Sequence, residues 1–284
     1  MAGEPAAAHE HCEAGRQLYD PERHRAHRLL YGGHDPGVCA GYIGALVHWL
    51  LGYPAKGLRI GSEALALGQR IAHPLSLEQA LIFNAMFHLD RGEPELALQR
   101  LAAIEALVAE QRLGFMMEPR FLRGAALNLQ GAFEEAAACL RDGLASPLGT
   151  MLRPYGLAGL AQALARLGEH GTALAVAREG LRTQEITGWR KWDAELHRIE
   201  GVALFGLNRL EEGQNTVEEA LRIARRQQAK SYELRAATSL ARLWGEQGRR
   251  KEARELLAPV YGWFTEGFDT ADLKEAQALL GQLS

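Results

Sequence analysis

Apolar residues recur along this 284-residue chain at the three- and four-residue spacing of amphipathic α-helices. One segment carries Leu98, Leu101, Ile104 and Leu107 on a single helical face, and similar segments follow it at regular intervals. Ala, Leu, Arg, Glu and Gln abound while aromatic residues make up only 7% of the chain, a composition that favours helix over strand. The pattern therefore predicts an all-α protein.

A six-residue signature recurs six times: Gly or Asn, four variable residues, and then a small residue. Its first positions are 37 to 40 residues apart, at Gly52, Gly92, Gly131, Gly168, Asn208 and Gly248. A second small residue lies seven positions before each of these, at Ala45, Ala85, Gly124, Ala161, Gly201 and Ala241. Gly and Asn tolerate the left-handed conformation at a helix end, so each signature predicts a structural turn between two helices. The flanking small residues would let the paired helices cross closely.

This pattern resembles the tetratricopeptide repeat. The resemblance implies a right-handed α–α superhelix whose first helices line a concave surface. The period of about 40 residues exceeds the usual 34 of that family, which implies longer helices. The family's first-helix Trp is replaced in every repeat, by Gly41, Leu81, Arg120, Leu157, His197 and Ala237.

The signatures also predict how the chain is divided. Residues 1–35 would hold the second helix of a truncated repeat followed by an insertion, and residues 267–284 would form a capping helix. Between them lie six predicted helix pairs, at 36–73, 74–114, 115–151, 152–188, 189–228 and 229–266. Asp35 and Asp269 are expected to cap the helices that follow them. An unpaired first helix would expose an apolar flank, so we interpret the chain as the C-terminal piece of a longer array and expect self-association through residues 6–19.

The inner face of the superhelix is the predicted partner-binding groove. Applying the family's register gives these residues: Tyr42, Trp49, Phe83, Met86, Phe121, Asn128, Gln162, Arg166, Arg198, Arg235 and Arg242. The groove would be aromatic and apolar in its N-terminal half and basic in its C-terminal half, which is typical of binding hot spots. The alternative is that several of these aromatics belong to the core, where they fill space beside small Gly and Ala neighbours.

Residues 222–254 carry ten Lys or Arg against three Glu, so this stretch is +7 while the whole chain is −3. We interpret it as a solvated helical face, with a docking patch for an acidic partner as the alternative. Nucleic acid is disfavoured because no recognition motif accompanies the charge. Three distant cysteines, no secretory signal and no apolar run long enough to span a bilayer favour a cytoplasmic protein without membrane contact.

The chain has no motif for catalysis or nucleotide binding: GxxxxGK, GxSxG, HExxH and GxGxxG are all missing. No enzymatic activity and no cofactor are therefore expected. A metal-compatible set occurs near the N-terminus, at His9, Glu10, His11, Cys12, His24 and His27. Its spacing matches no established zinc module, so a solvated polar helix is favoured and no metal is expected. His48 and His88 share one repeat position and are expected to pack at a helix crossing.

Four segments carry a wider resemblance: residues 31–39, 49–54, 227–244 and 257–273. They look like the C-terminal repeat region of bacterial multidomain proteins that pair an adenylate or guanylate cyclase domain with an AAA-like ATPase. The resemblance implies a non-catalytic signalling module that holds a peptide or a partner protein domain. A small-ligand sensor, as in long-repeat transcription regulators, is the alternative. A partner-binding module predicts an open groove, and a sensor predicts a closed apolar pocket.

Overall fold

The computed structural model describes residues 3–30, 33–150 and 152–284, and these residues form helices joined by turns and short loops. Residues 31 and 32 of the predicted insertion, residue 151 at the end of the third predicted pair, and residues 1 and 2 lie outside the described residues. Within the described part of the chain there are fourteen α-helices and no strand. The architecture is an all-α superhelical solenoid.

A single helix, α1 (Pro5–Leu18), comes first, and a 3₁₀ turn (Arg25–Leu29) follows it. Six helix pairs come next: α2 (Pro36–Leu50) with α3 (Pro54–Ile71), α4 (Pro74–Arg91) with α5 (Pro94–Gln111), α6 (Pro119–Gln130) with α7 (Phe133–Ala145), α8 (Arg153–Arg166) with α9 (His170–Thr187), α10 (Asp193–Gly206) with α11 (Leu210–Arg226), and α12 (Lys230–Glu246) with α13 (Arg250–Tyr261). A 3₁₀ turn (Pro147–Gly149) precedes α8, and α14 (Ala271–Gln282) ends the array. Helices α3, α4, α5 and α9 each have 18 residues, in keeping with the long repeat period.

The turns inside the pairs depend on left-handed backbone. All six signature residues have positive φ, from +58° at Asn208 to +88° at Gly52. After α4, the N–H of Gly92 donates to the carbonyl of Leu89 and the N–H of Glu93 to that of His88, which satisfies the last carbonyls of the helix. Pro94 then occupies the first turn of α5, where its missing N–H costs nothing.

Small residues set the distance between paired helices. A Cβ added at Gly57 in α3 would lie 2.8 Å from the carbonyl oxygen of Ala45 in α2. At Gly201 in α10 it would lie 2.4 Å from the Val217 side chain of α11. The two backbones approach too closely at these crossings for a larger residue, which explains the recurring small positions.

First helices pack against their partners and also against the next first helix along the chain, from α2 through α4, α6, α8 and α10 to α12. They therefore lie on the inner side of the curve. One hydrophobic cluster runs from Val38 to Tyr232, and a second, from Val217 to Leu283, joins the last pair to α14.

The two ends of the array differ from the expectations in part. The Asp35 carboxylate accepts hydrogen bonds from the N–H groups of Gly37 and Val38, which confirms the predicted cap of α2. The prediction that Asp269 caps α14 is wrong, because Thr270 holds the cap position without a side-chain bond and Asp269 binds Arg91 instead. Helix α1 packs on α2, and Leu18 is its one large apolar side chain that is mostly exposed. The apolar flank expected for self-association is therefore small.

Candidate partner-binding surface

The first and last repeats of the array meet. Helix α12 packs against α2, where the Ser231 hydroxyl donates to the carbonyl of Trp49. The Trp49 and Tyr232 rings pack edge to face with centroids 5.5 Å apart. The helices thus close into one turn of a ring rather than an open arc. We call this junction between the first two repeats and the C-terminal helices the seam.

Polar contacts between helix ends and the loop before α14 reinforce the seam. The guanidinium of Arg91, at the end of α4, donates to Asp269 at 2.5 Å and to the carbonyl of Pro54 at 3.3 Å. Glu266 accepts from the N–H groups of Ala55 and Lys56, at 2.9 Å each. Glu266, which is more than 200 positions away along the chain, therefore caps the start of α3. Its negative charge also interacts favourably with the positive end of the helix dipole.

Inside the ring, the seam contains a charged network. Arg235 of α12 donates to Asp272 at 2.9 Å and to the carbonyl of Asp90 at 3.1 Å, and its guanidinium lies 4.9 Å from the Trp49 ring centroid. Glu195 lies 3.6 Å from Arg235 and forms a bidentate pair with Arg198.

Burial by itself would raise the pKa of Glu195, but Arg198 and Arg235 outweigh it and hold that pKa at about 2. Burial raises the pKa of Asp272, and Arg235 opposes the rise. The network is an internal brace whose charges are paired with one another.

The predicted groove residues are mostly not available to a partner. Six of them are each at most 8% exposed: Tyr42, Trp49, Phe83, Met86, Phe121 and Asn128. Tyr42 stacks on Phe83 with centroids 4.3 Å apart, and the Asn128 amide donates to the carbonyl of Gly159 at 2.8 Å. The expectation of an open aromatic groove is therefore not met at these six positions. They fill the space left by small neighbours, which is the core alternative.

The remaining predicted groove residues divide by exposure. Gln162, Arg198 and Arg235 are partly buried, and the latter two belong to the charged network. Arg166 and Arg242 are exposed: Arg166 lies over the Phe133 ring and Arg242 pairs with Glu275. The chain's own contacts thus engage much of the basic half of the predicted groove.

The basic stretch from 222 to 254 is also largely paired. At least seven of its ten cationic side chains form ion pairs with carboxylates, and those of Arg235 and Arg242 use acids of α14. Local neutralisation favours the interpretation as a solvated helical face over that of a docking patch.

A surface that the sequence analysis did not single out lies at the seam. Tyr53, Trp263 and Phe268 are 39%, 36% and 47% exposed. Tyr53 and Trp263 have ring centroids 5.6 Å apart, and Tyr261 packs 6.0 Å from Phe268. These residues form two ring pairs, which are linked along the chain because Tyr261 and Trp263 are two positions apart, and we call the two pairs together the aromatic cluster. In the sequence, this surface is indicated by the density of aromatic residues at positions 261–268 in a chain with few aromatics. Their contact with Tyr53, however, depends on the closure of the helical array.

The tetratricopeptide-repeat family model matches residues 79–103, 154–179 and 234–259. These segments lie in α4–α5, α8–α9 and α12–α13. The chain contains tetratricopeptide repeats.

The chain is also similar to an uncharacterized protein of Rhizobium meliloti. The two are 28% identical over 252 residues, which cover 85% of this chain and 22% of the relative. The chain thus spans about a fifth of the length of this relative. Among the described residues, no helix combines the length and apolar character that crossing a membrane requires.

Two spaces among the described helices could be considered as small-ligand sites. A cavity of about 40 Å³ lies where the start of α1 meets α2 and the loops before α10 and α12, with Pro5, Val47 and Lys191 in its lining. A cleft of about 260 Å³ lies among α11, α12 and α13, beside Leu221 and Trp244. Both fall below the roughly 300–1,000 Å³ of a typical small-molecule pocket, so they give the sensor alternative little support.

The metal-compatible residues of the N-terminus are not brought together as one set. His24 accepts from the N–H of Asp20 at 2.9 Å and packs against His27, on the 3₁₀ turn. His9 instead faces His48 of α2, with ring centroids 4.7 Å apart. Among the residues described, His9, Glu13 and His48 form a group that could hold a metal ion.

Proposed function

We propose that this chain is a non-catalytic protein-interaction module that presents the aromatic cluster at its seam to a partner protein. Tetratricopeptide repeats generally mediate protein–protein interaction, and the aromatic cluster is the observation that selects the surface. Trp and Tyr are enriched among the residues that dominate binding energy. Three members of the cluster are more than a third exposed, whereas many other aromatic side chains of this protein are buried in the core.

The surroundings of the aromatic cluster suit a partner with apolar groups. The Lys230 ammonium lies 5.3 Å from the Trp263 ring centroid, but it pairs with Glu233 at 2.7 Å and therefore adds little net charge to this edge of the cluster. Closure of the ring fixes the positions of Tyr53 and Trp263 before binding. A preorganised surface loses less conformational entropy when a partner binds.

The inner-face residues that remain accessible would be secondary contacts. We propose that Gln162, Arg166 and Arg242 meet polar groups of a partner peptide or domain that extends beyond the aromatic cluster. Arg166 and Arg242 support this best because they are exposed.

We further propose that the partner belongs to a bacterial cytoplasmic signalling system. The resemblance to the repeat tails of cyclase and ATPase proteins motivates this proposal, and the Rhizobium meliloti relative is a bacterial protein of much greater length. Self-association through α1 would add a second copy beside the partner, with Leu18 as its apolar contact.

Site-specific photo-crosslinking in the native host tests the proposal. A benzophenone amino acid replaces Trp263 in one strain and Ile186, which is 86% exposed on α9, in the control strain. We expect a discrete adduct with one protein at position 263 and not at 186. With the purified partner, Tyr53→Ala and Phe268→Ala should each weaken binding roughly 30-fold, the loss typical of a hot-spot residue. Equal crosslinking at both positions, or unchanged affinity in both variants, would contradict the proposal.

A further inference from the structure

Helices α1 and α2 bring three ligand-type side chains to one point. His9 and Glu13 are four residues apart on α1, so they lie on the same face one turn apart. His48 faces them from α2. One ring nitrogen from each histidine and one carboxylate oxygen all lie within 4.8 Å of one another.

Each of the three residues has a buried polar atom without a hydrogen-bond partner. These atoms are His9 Nδ1, Glu13 Oε1 and His48 Nε2. Arg16 approaches Glu13 Oε1 only to 3.6 Å, beyond hydrogen-bond range. His48 as a whole is 1% exposed. A buried polar atom without a partner costs about 1–3 kcal/mol, so three at one point require an explanation.

The second ring nitrogen of His48 is already committed. Its Nδ1 lies 2.7 Å from the carbonyl oxygen of Gly44, and because a carbonyl only accepts, Nδ1 carries the proton. The tautomer thus leaves the Nε2 lone pair free. Metal-binding histidines are commonly oriented in this way, by a hydrogen bond from the other ring nitrogen to a backbone carbonyl.

His88 shows how the same repeat position is satisfied without a metal. It lies four residues before the turn glycine of the second repeat, as His48 does in the first. Its Nδ1 contacts the carboxylate of Glu93 at 2.6 Å. In the first repeat Tyr53 takes the place of Glu93, so no acid follows the turn and α1 supplies Glu13 instead.

We propose that His9, Glu13 and His48 bind a divalent transition-metal ion, with Zn²⁺ as the best fit, and that the ion fastens α1 to the first repeat. Two imidazoles and one carboxylate suit zinc and disfavour Mg²⁺ or Ca²⁺, which prefer all-oxygen sites. With metal–ligand bonds of about 2.0–2.2 Å, tetrahedral ligands lie roughly 3.4 Å apart, so the side chains need to close by about 1.4 Å at most. A water molecule would complete the four ligands, because the Glu13 side chain is a third exposed.

Calorimetric titration of the metal-free full-length chain with Zn²⁺ tests the site. We expect one zinc per chain, with no competition from excess Mg²⁺. Glu13→Gln keeps the shape but removes the ligand charge, and it should weaken zinc binding about 100-fold or more. His11→Gln is the matched control because His11 is exposed on the same helix, and it should bind zinc as the wild type does.

A second measurement separates a structural clamp from loose surface binding. Zinc should slow amide hydrogen exchange across α1 in the wild type and in the His11→Gln variant, but not in the Glu13→Gln variant. Glu13→Gln is the deciding variant because it is partly exposed, whereas changes at buried His48 put folding at risk. Failure of the wild type to bind zinc, or equal affinity of the Glu13→Gln and His11→Gln variants, would overturn the proposal. Neither result depends on the partner-binding surface.

Discussion

Equivalent turn glycines pack against other helices in one half of the ring and lie in open space in the other half. Gly52 and Gly92, in the first and second repeats, face the C-terminal helices, so that a Cβ added at either would lie 2.4 Å from Trp263 or Ala271. Gly131 and Gly168, in the third and fourth repeats, have nothing within 4 Å of such an atom. All four residues have φ between +80° and +88°. The same local turn is thus solvated in one half and part of a tertiary interface in the other.

This difference shows that a turn at the seam restricts the sequence more than a solvated turn does. A solvated turn needs only a residue that tolerates the left-handed region, whereas a seam turn also needs the absence of a side chain. Closure of the ring also brings together the charged network around Arg235, which contacts within a single repeat would not form. Changes at the seam should therefore cost more than the same changes elsewhere.

The largest effect is expected at Arg235. Replacing it with Met leaves Asp272 facing the interior without its cation and leaves Glu195 with Arg198 alone, and breaking one side of a buried pair typically costs about 3–5 kcal/mol. About a fifth of the Arg235 side chain stays exposed, so we expect a loss of about 3 kcal/mol, near the low end of that range.

Urea unfolding followed by circular dichroism measures the loss at Arg235. Arg166→Met is the control, because Arg166 is exposed and away from the seam, and it should change the free energy of unfolding by less than about 1 kcal/mol. Equal destabilisation by the two variants would show that the seam is not braced by this network.

The turn glycines give the next effect and test the comparison most directly. Gly131→Ala should cost about 1–2 kcal/mol, the strain of a left-handed alanine. Gly92→Ala carries the same strain and adds overlap with the Cβ of Ala271, for which overpacking costs of about 1–3 kcal/mol are typical. The free energy of unfolding should therefore fall further for Gly92→Ala than for Gly131→Ala. If the two variants unfold at the same urea concentration, the seam opens at little cost.

The sequence predicts the local turns better than it predicts the contacts at the seam. The six turns are local, so Gly or Asn at a left-handed position is enough to find them, and the cap at Asp35 is local too. Whether Trp49 lines a groove or fills a core depends on where α12 lies, more than 180 residues later. That position is the sum of small rotations at every repeat, none of which a periodic pattern specifies. Asp269 illustrates the limit, because its distant partner Arg91 replaces the local cap that its residue type suggests.

The smallest effect is expected at Arg242, which lies two helical turns beyond Arg235 on α12. Both arginines pair with acids of α14, but Arg242 and Glu275 are each about half exposed, whereas Arg235 and Asp272 are each 19% exposed. An exposed pair contributes about 0–1 kcal/mol because water screens it. Arg242→Gln should therefore change the free energy of unfolding by less than about 1 kcal/mol, and 0.5 M NaCl should shrink the difference further.

A loss at Arg242 comparable to that at Arg235, and insensitive to salt, would mean that the whole α12–α14 contact is a rigid part of the closure. The difference between the seam and the half of the ring with solvated turns would then include the whole contact between α12 and α14. A small, salt-sensitive loss would confine it to the part of the contact around Arg235, where the guanidinium is held between Asp272, the Asp90 carbonyl and the Trp49 ring.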